Sequence, residues 1–371
     1  MSVLTRMDDT LWHQTSEPFA HVDNSDPRFF DRYWFNVVAP DGRTSIQVTM
    51  GAYRNMNVLD AGVVVVRDGR QFNLRASTSL GTDFESTCGP ISVEVIEPLQ
   101  QLRLRFEDPE GRLSADLTWT GIAPPTLEKP HFERDVSRIK EDYQRFDQIG
   151  RVQGQLRVGQ DDVAVDDWWS CRDHSWGVRA RIGIKEPVTG PRRTLDEDGF
   201  AMAFLFYSTD EHAGHLLFSG RASDEGYLSG DLRALPTGPI AEIEGAGMEV
   251  ELHPGTRRFA KATFRAATAT GEELTWACTP LGSAVAMQGL GYYGGYDDRR
   301  GLGAWRGDDL VEYDEWDVSD PATIVYPDGS SDQHWHRIQP VSLTLTTAQG
   351  QATGTGSMTL ILSGNLPRYG L

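Results

Sequence analysis

Cysteine is scarce in this chain: Cys88, Cys171 and Cys278 are three in number and widely separated. They form neither a disulfide framework nor a zinc-ligand spacing, a usage that fits a reducing cytoplasm. Basic charge is also in short supply, with 35 Lys and Arg against 54 Asp and Glu and a formal net charge of -19. Such a balance repels phosphate backbones and anionic headgroups and argues against a nucleic-acid partner. No apolar run approaches the ~18 residues of a membrane span, and the opening MSVLTRMDDTLWHQ lacks the basic start and apolar stretch of a secretory leader. Absent too are the Gly-x-Ser-x-Gly elbow, the His-Glu-x-x-His helix and the phosphate-binding P-loop, which removes several large enzyme classes. The expectation is a cytoplasmic protein without a membrane span.

Sustained helical periodicity is equally rare. Short apolar or alternating runs separated by turn signals recur along the chain instead, which predicts an all-β protein. Gly62–Arg67 turns at Asp68-Gly69 into Gln71–Ala76, and Leu102–Glu107 turns through Asp108–Gly111 into Leu113–Thr120, both as antiparallel hairpins. One short amphipathic helix is predicted over Glu133–Phe146, from the spacing of Val136, Ile139, Tyr143 and Phe146. At 371 residues the chain suits two domains, which the pattern divides into 1–178 and 179–371, each with enough strands to close a barrel. A polar loop, Lys185–Gly199, follows the boundary. Ten Trp, eleven Tyr and fifteen Phe suit strands, apolar pockets or sugar-binding clefts.

The densest cluster of costly residues is Asp167–Arg179, DWWSCRDHSWGVR. If this segment is extended, Arg172, His174, Trp176 and Val178 share one face, and Trp169, Cys171, Asp173 and Ser175 the other. The first face combines an imidazole that titrates near neutrality with an indole and a guanidinium, a set able to move a proton and shelter developing positive charge. On the second face Asp173 is within reach of Arg179. The same composition also suits a polar plug at a barrel end.

The run Arg172-Asp173-His174-Ser175-Trp176-Gly177 resembles the Asp-His-x-Trp-Gly signature of the AttH/CrtC-type lipocalin-like proteins, the group of the carotenoid 1,2-hydratases and kievitone hydratase. The resemblance implies two tandem lipocalin-like antiparallel β-barrel or sandwich domains that hold a hydrophobic substrate in or between them. It further implies that His174, Trp176 and Asp173 occupy positions associated with hydration chemistry. For the downstream Tyr/Asp pair of the carotenoid hydratases, Tyr207 and Asp210 are candidates with altered spacing, a departure that weighs against a carotenoid substrate.

Around this centre Arg172 and Trp169, with Tyr207, Tyr292, Tyr293, Trp305 and Tyr313, are the candidate substrate-binding residues. The glycine-rich Gly289–Gly294 run lacks the following helix of a dinucleotide fingerprint and reads as a Tyr-bearing loop over a pocket. His334 with His336, and Glu211 with His212 and His215, fall short of the convergent donors a metal site needs, so no metal is expected. Asp308–Asp320 places Tyr313 and Glu315 on one face and Glu312, Asp314 and Trp316 on the other.

Three functions follow. The first is a cofactor-independent hydratase, lyase, isomerase or cyclase acting on an apolar unsaturated small molecule such as a terpenoid, steroid or polyketide. The second is a non-catalytic carrier of such a ligand, and the third a carbohydrate-active β-protein using Asp314 or Glu315.

Overall fold

The computed structural model describes residues 6–9, 11, 16–81, 85–182, 189–190, 199–221 and 226–371. Most of the predicted loop Lys185–Gly199 therefore lies outside the described residues.

The first ten strands of more than two residues build the first lobe. They are β1 (Phe29–Val38), β2 (Thr44–Tyr53), β3 (Val58–Arg67), β4 (Arg70–Ser79), β5 (Ile91–Glu97), β6 (Gln101–Glu107), β7 (Leu113–Gly121), β8 (His131–Asp135), β9 (Arg138–Val158) and β10 (Asp161–Val178). The second lobe uses β11 (Phe200–Thr209), β12 (His212–Arg221), β13 (Tyr227–Ala234), β14 (Ile240–Leu252), β15 (Phe259–Thr268) and β16 (Glu273–Pro280). Next comes β17 (Leu310–Asp317), and β18 (Arg337–Thr347) and β19 (Gly350–Ser363) complete the second lobe.

The all-β expectation holds, and the sheets are antiparallel throughout the named strands. In the first lobe the order is β17-β4-β3-β2-β1-β10-β9-β7-β6-β5, so a strand from late in the chain extends the sheet begun by early ones. The second lobe runs β16-β15-β14-β13-β12-β11-β19-β18, and pairing of β16 with β18 closes it into an eight-stranded barrel.

Three apolar cores explain the patterning. Phe35, Val37, Val63, Val65, Leu104, Leu117 and Trp119 fill the first lobe, while Leu205, Tyr207, Phe264, Trp276, Leu343 and Leu360 fill the second. A third cluster, with Trp34, Val64, Trp169, Cys171, Phe204, Phe206 and Leu290, lies where the lobes meet. Strands β1 and β3 are buried on both faces, hence runs such as Val63–Val66 that do not alternate with polar residues.

The predicted helix over Glu133–Phe146 is corrected. This stretch is β8, a turn and the start of β9, and among the described residues the only helical segments are 3-10 turns of three or four residues. Val136 sits in the turn at φ 60°, Tyr143 packs in the interlobe cluster, and Phe146 pairs opposite His174. The apolar residues thus serve different faces, and their three- and four-residue spacing is coincidental. Long-range pairing of β9 with β10 over nearly its whole length outweighs the local pattern.

Candidate active site

Strand β10 lies between β1 and β9, and its register assembles the central motif. Tyr33 and Phe146 flank His174, Phe35 and Gln148 flank Arg172, and Asp31 pairs with Trp176. Because side chains alternate, Arg172, His174 and Trp176 share the face that also carries Asp31, Tyr33 and Phe146. His174 Nε2 is 2.6 Å from Asp31 Oδ1. The imidazole lies 4.5 Å from the ring of Tyr33, 5.3 Å from Phe146 and 5.5 Å from Trp176, centroid to centroid. With side-chain exposures of 21% for His174 and 49% for Asp31, the pair is open to a small molecule arriving from solvent.

Arg172 lies deeper. Its Nε and Nη2 donate to Gln148 Oε1 at 3.0 and 2.7 Å, and its guanidinium is 4.8 Å from the Trp119 ring and 5.0 Å from Phe146. Burial pulls its pKa down to about 10, so it stays cationic at neutral pH with no carboxylate in ion-pair contact among the described residues. Burial also pushes the Tyr33 hydroxyl up, helped by Asp31, which keeps it a neutral hydrogen-bond donor. The result is a His–Asp pair in an aromatic dish with a cation beneath it: a proton carrier, π-faces for positive charge and a fixed positive pole.

Asp173 points the other way, toward the second lobe. Asp147 stands opposite it on β9, and Arg145 opposite Ser175. Glu128 accepts from Arg145 Nε and Nη2 at 2.8 and 2.9 Å, and its Oε2 lies 2.5 Å from His131 Nε2. His131 is stacked between Tyr143 and Tyr227, at 4.3 and 4.1 Å. From the second lobe, His215 Nδ1 reaches Asp231 Oδ1 at 2.8 Å. Burial works against the Glu128 charge, yet Arg145 overrides it and the carboxyl stays well below its usual value. Burial and the neighbouring Glu128 push Asp147 well up instead, and neither of its oxygens has a hydrogen-bond partner. Asp173 is pushed up to about 6, mainly by burial. The Asp173–Arg179 ion pair read from the sequence does not form; Arg179 lies against the ring of Tyr143 at 5.8 Å.

Oxygen and nitrogen donors of Glu128, Asp147 and His215 all fall within 4.8 Å of one another. Arg145 holds both Glu128 oxygens, while His215 spends Nδ1 on Asp231 and Nε2 on Ser229 at 3.2 Å. The Glu128 and His215 donors are therefore committed to protein partners, which leaves only Asp147 of the three without a hydrogen bond. Glu211 and His212 do not join His215 in this group.

The remaining sequence candidates do not converge on His174. Trp169 is buried on the interlobe face, where its Nε1 donates to Ser208 Oγ at 3.0 Å and ties the lobes together. Tyr207 is wholly buried in the second lobe, its hydroxyl on the Asp231 carbonyl at 2.8 Å. Tyr292 is buried, and its hydroxyl accepts from Arg32 Nε at 3.1 Å. Tyr293 packs against Trp335 and bonds His336 Nδ1 at 3.0 Å. Trp305 is 44% exposed in a loop. Tyr313 donates to Glu315 at 2.8 Å and lies under Arg112 at 3.8 Å. Asp314 pairs with Arg75 at 2.9 Å and Glu315 with Arg70, so the two candidate carboxylates of the acidic stretch are held by arginines.

Sequence reading missed Asp31, Tyr33 and Phe146, the partners that complete the dish. The signal for the first two is the alternation Asp31, Tyr33, Phe35 in a strongly strand-like run. Phe146 was hidden by the helical reading. Arg145 and Asp147 alternate with it on the same strand, so a period-two reading of β9 separates both faces at once.

Over residues 4–365 the sequence matches the family DUF8625, described as a family of unknown function. The chain belongs to the DUF8625 family. No curated protein matches it in sequence. Among solved structures, that of kievitone hydratase from Nectria haematococca is similar in fold, at TM-score 0.50 and 8% identity, covering 90% of this chain and 89% of that one. Two structures of CghA also align. The one with Sch210972 does so at TM-score 0.48 and 8% identity over 91% of this chain and 89% of that one. The other does so at TM-score 0.49 and 9% identity over 92% and 90%. The two-lobed lipocalin-like fold of this DUF8625 member is therefore shared with the kievitone hydratase structure.

Proposed function

We propose that this DUF8625 protein is a cofactor-independent lyase or isomerase, a hydratase or cyclase in the broad sense, acting on an apolar unsaturated small molecule. The observation that carries the reading is the 2.6 Å contact of His174 with Asp31 inside a ring of three aromatic side chains. Asp31 orients the imidazole through Nε2, which leaves Nδ1 to deliver a proton to a C=C bond. The resulting positive charge lies beside the π-faces of Trp176, Tyr33 and Phe146, and Arg172 attracts a polar or anionic end of the substrate. In hydration, water then adds to the cation and gives its extra proton back to His174; in isomerisation or cyclisation, the cation, with or without ring closure, returns a different proton to His174. The likeness in fold to kievitone hydratase agrees with this chemistry.

The test begins with native mass spectrometry for a co-purifying compound, followed by its turnover in heavy-oxygen water and in deuterium oxide. Oxygen uptake marks hydration, and deuterium uptake alone marks isomerisation or cyclisation. Binding with no product marks a carrier and rejects the enzymatic reading. A second reading rests on Asp173, whose carboxyl is held at about 6 at the interlobe face, a value suited to a general acid. Under that reading Asp173→Asn abolishes turnover and His174→Ala does not.

A further inference from the structure

A groove of about 540 Å³, none of whose lining residues belongs to the His174 site, opens between the β14–β15 turn, the segment before β18 and the end of β19. Its lining includes Leu252, His253, Arg258, His334, Trp335 and Leu362, and no Asp or Glu side chain. Leu371 also borders it, and its main-chain oxygen is taken by the Leu366 N–H at 2.8 Å.

Arg258 is the unusual member. Several other deeply placed arginines hold a carboxylate or several carbonyls. Arg32 pairs with Asp60, Arg75 with Asp314 and Glu312, and Arg145 with Glu128. Arg337 donates to the carbonyls of Asp320, Pro321, Ala284 and Val318. Arg258 has one acceptor, the Trp335 carbonyl, at 2.8 Å from Nη2 and 3.3 Å from Nη1. A guanidinium carries five N–H donors in a fork that matches a carboxylate. Arg258 lines the groove, and no other acceptor for its fork is found among the described residues. Burial alone pulls Arg258 down to about 10, which leaves it charged at neutral pH. His334 beside it is held neutral, pulled down to about 4 by burial. In a chain of net charge -19, a concave site with this cation, an indole wall and no Asp or Glu side chain favours negative charge, with the main-chain carboxyl of Leu371 at its border.

We propose that this groove binds an organic monoanion, a carboxylate on an apolar body, with Arg258 as counter-charge and Trp335 and Leu252 as apolar walls. Uncharged analogues of the same length lose the ion pair and keep only the apolar contact.

Calorimetric titration of the full chain with decanoate and with decanol tests the assignment. Decanoate is expected to bind at least about tenfold more tightly than decanol, the scale of one charge-assisted hydrogen-bonded pair. Arg258→Gln is expected to weaken decanoate by the same factor and leave decanol unchanged. His253→Trp, which narrows the groove and retains Arg258, is expected to weaken decanoate as well, with circular dichroism confirming that each variant is folded. Equal affinity for the two probes, a decanoate affinity that neither substitution moves, or no decanoate binding at all overturns the proposal.

Discussion

Asp147 and Asp173 stand directly opposite one another on β9 and β10, on the face that meets the second lobe. Burial pushes Asp147 well up and Asp173 up to about 6. A like pair in this position ionises in turn rather than together. Asp147 is thus the member pushed toward its protonated form, and Asp173, at about 6, the one that loses its proton below neutral pH.

The pair makes stability fall as pH rises. Asp173 moves from an ordinary 3.8 to about 6 on folding, so between those values the folded chain holds more protons than the unfolded one, and its stability declines through that window. Asp173→Asn removes the penalty. The variant is expected to be more stable at pH 7.5 by about 1–2 kcal/mol, discounted for the partial exposure of Asp173, with little gain at pH 4. Urea unfolding at both pH values checks it, and a gain that is larger at pH 4 contradicts it.

Glu128 anchors the other half of this cluster. Glu128→Gln leaves the buried Arg145 guanidinium with only Asp147, at 3.9 Å and not hydrogen-bonded, and removing one partner of a buried ion pair typically costs about 3–5 kcal/mol. The urea midpoint at pH 7.5 is expected to drop accordingly. A loss below about 1 kcal/mol, the range of exposed pairs, is incompatible with this arrangement.

The acidic stretch is predicted to be structural. Asp314 faces the buried Arg75, which Glu312 also approaches at 3.3 Å. Asp314→Ala should destabilise by about 2–3 kcal/mol, less than a full buried-pair loss because Glu312 remains. Native electrophoresis in soluble polysaccharides should show no retardation of the wild type that this substitution abolishes. If such retardation appears and is lost with unchanged stability, Asp314 belongs to a sugar site.

Gly177 closes the signature for a steric reason. It adopts φ 133°, and a Cβ there would run into the Asp142 carbonyl oxygen and come within 2.6 Å of Tyr143 Cα. Both obstacles are backbone of β9, which cannot swing aside. Gly177→Ala is expected to cost more than about 2 kcal/mol and to lower soluble yield, as alanine at a glycine-only conformation does. A melting temperature equal to wild type rules this out.

Much of the architecture was legible because alternation is a local property. The faces of Arg172, His174 and Trp176 against Trp169, Cys171 and Asp173 follow from extended backbone alone, and the register of β10 bears them out. The partners came from elsewhere. Asp31 lies 143 residues from His174, and nothing local specifies that β1 pairs with β10. Tyr207, Tyr292 and Tyr313 suited a pocket by composition, yet Tyr207 and Tyr292 are buried with bonded hydroxyls and Tyr313 is engaged with Glu315 and Arg112. Residue type shows what a side chain can do, whereas the strand order decides what it meets. The interlobe carboxylates escaped notice for the same reason, since Glu128 and Asp147 meet His215 and its partner Asp231 only once the lobes dock.

The most direct measurement is single-turnover conversion of the co-purifying compound in deuterium oxide by wild type and by His174→Ala, with folding checked by circular dichroism. The account predicts that wild type forms product with solvent deuterium or oxygen incorporated, and that the variant is slower by about two to four orders of magnitude, the usual contribution of a general acid or base. A folded His174→Ala protein that turns over within about threefold of wild type contradicts it, since so small a change lies far below that contribution.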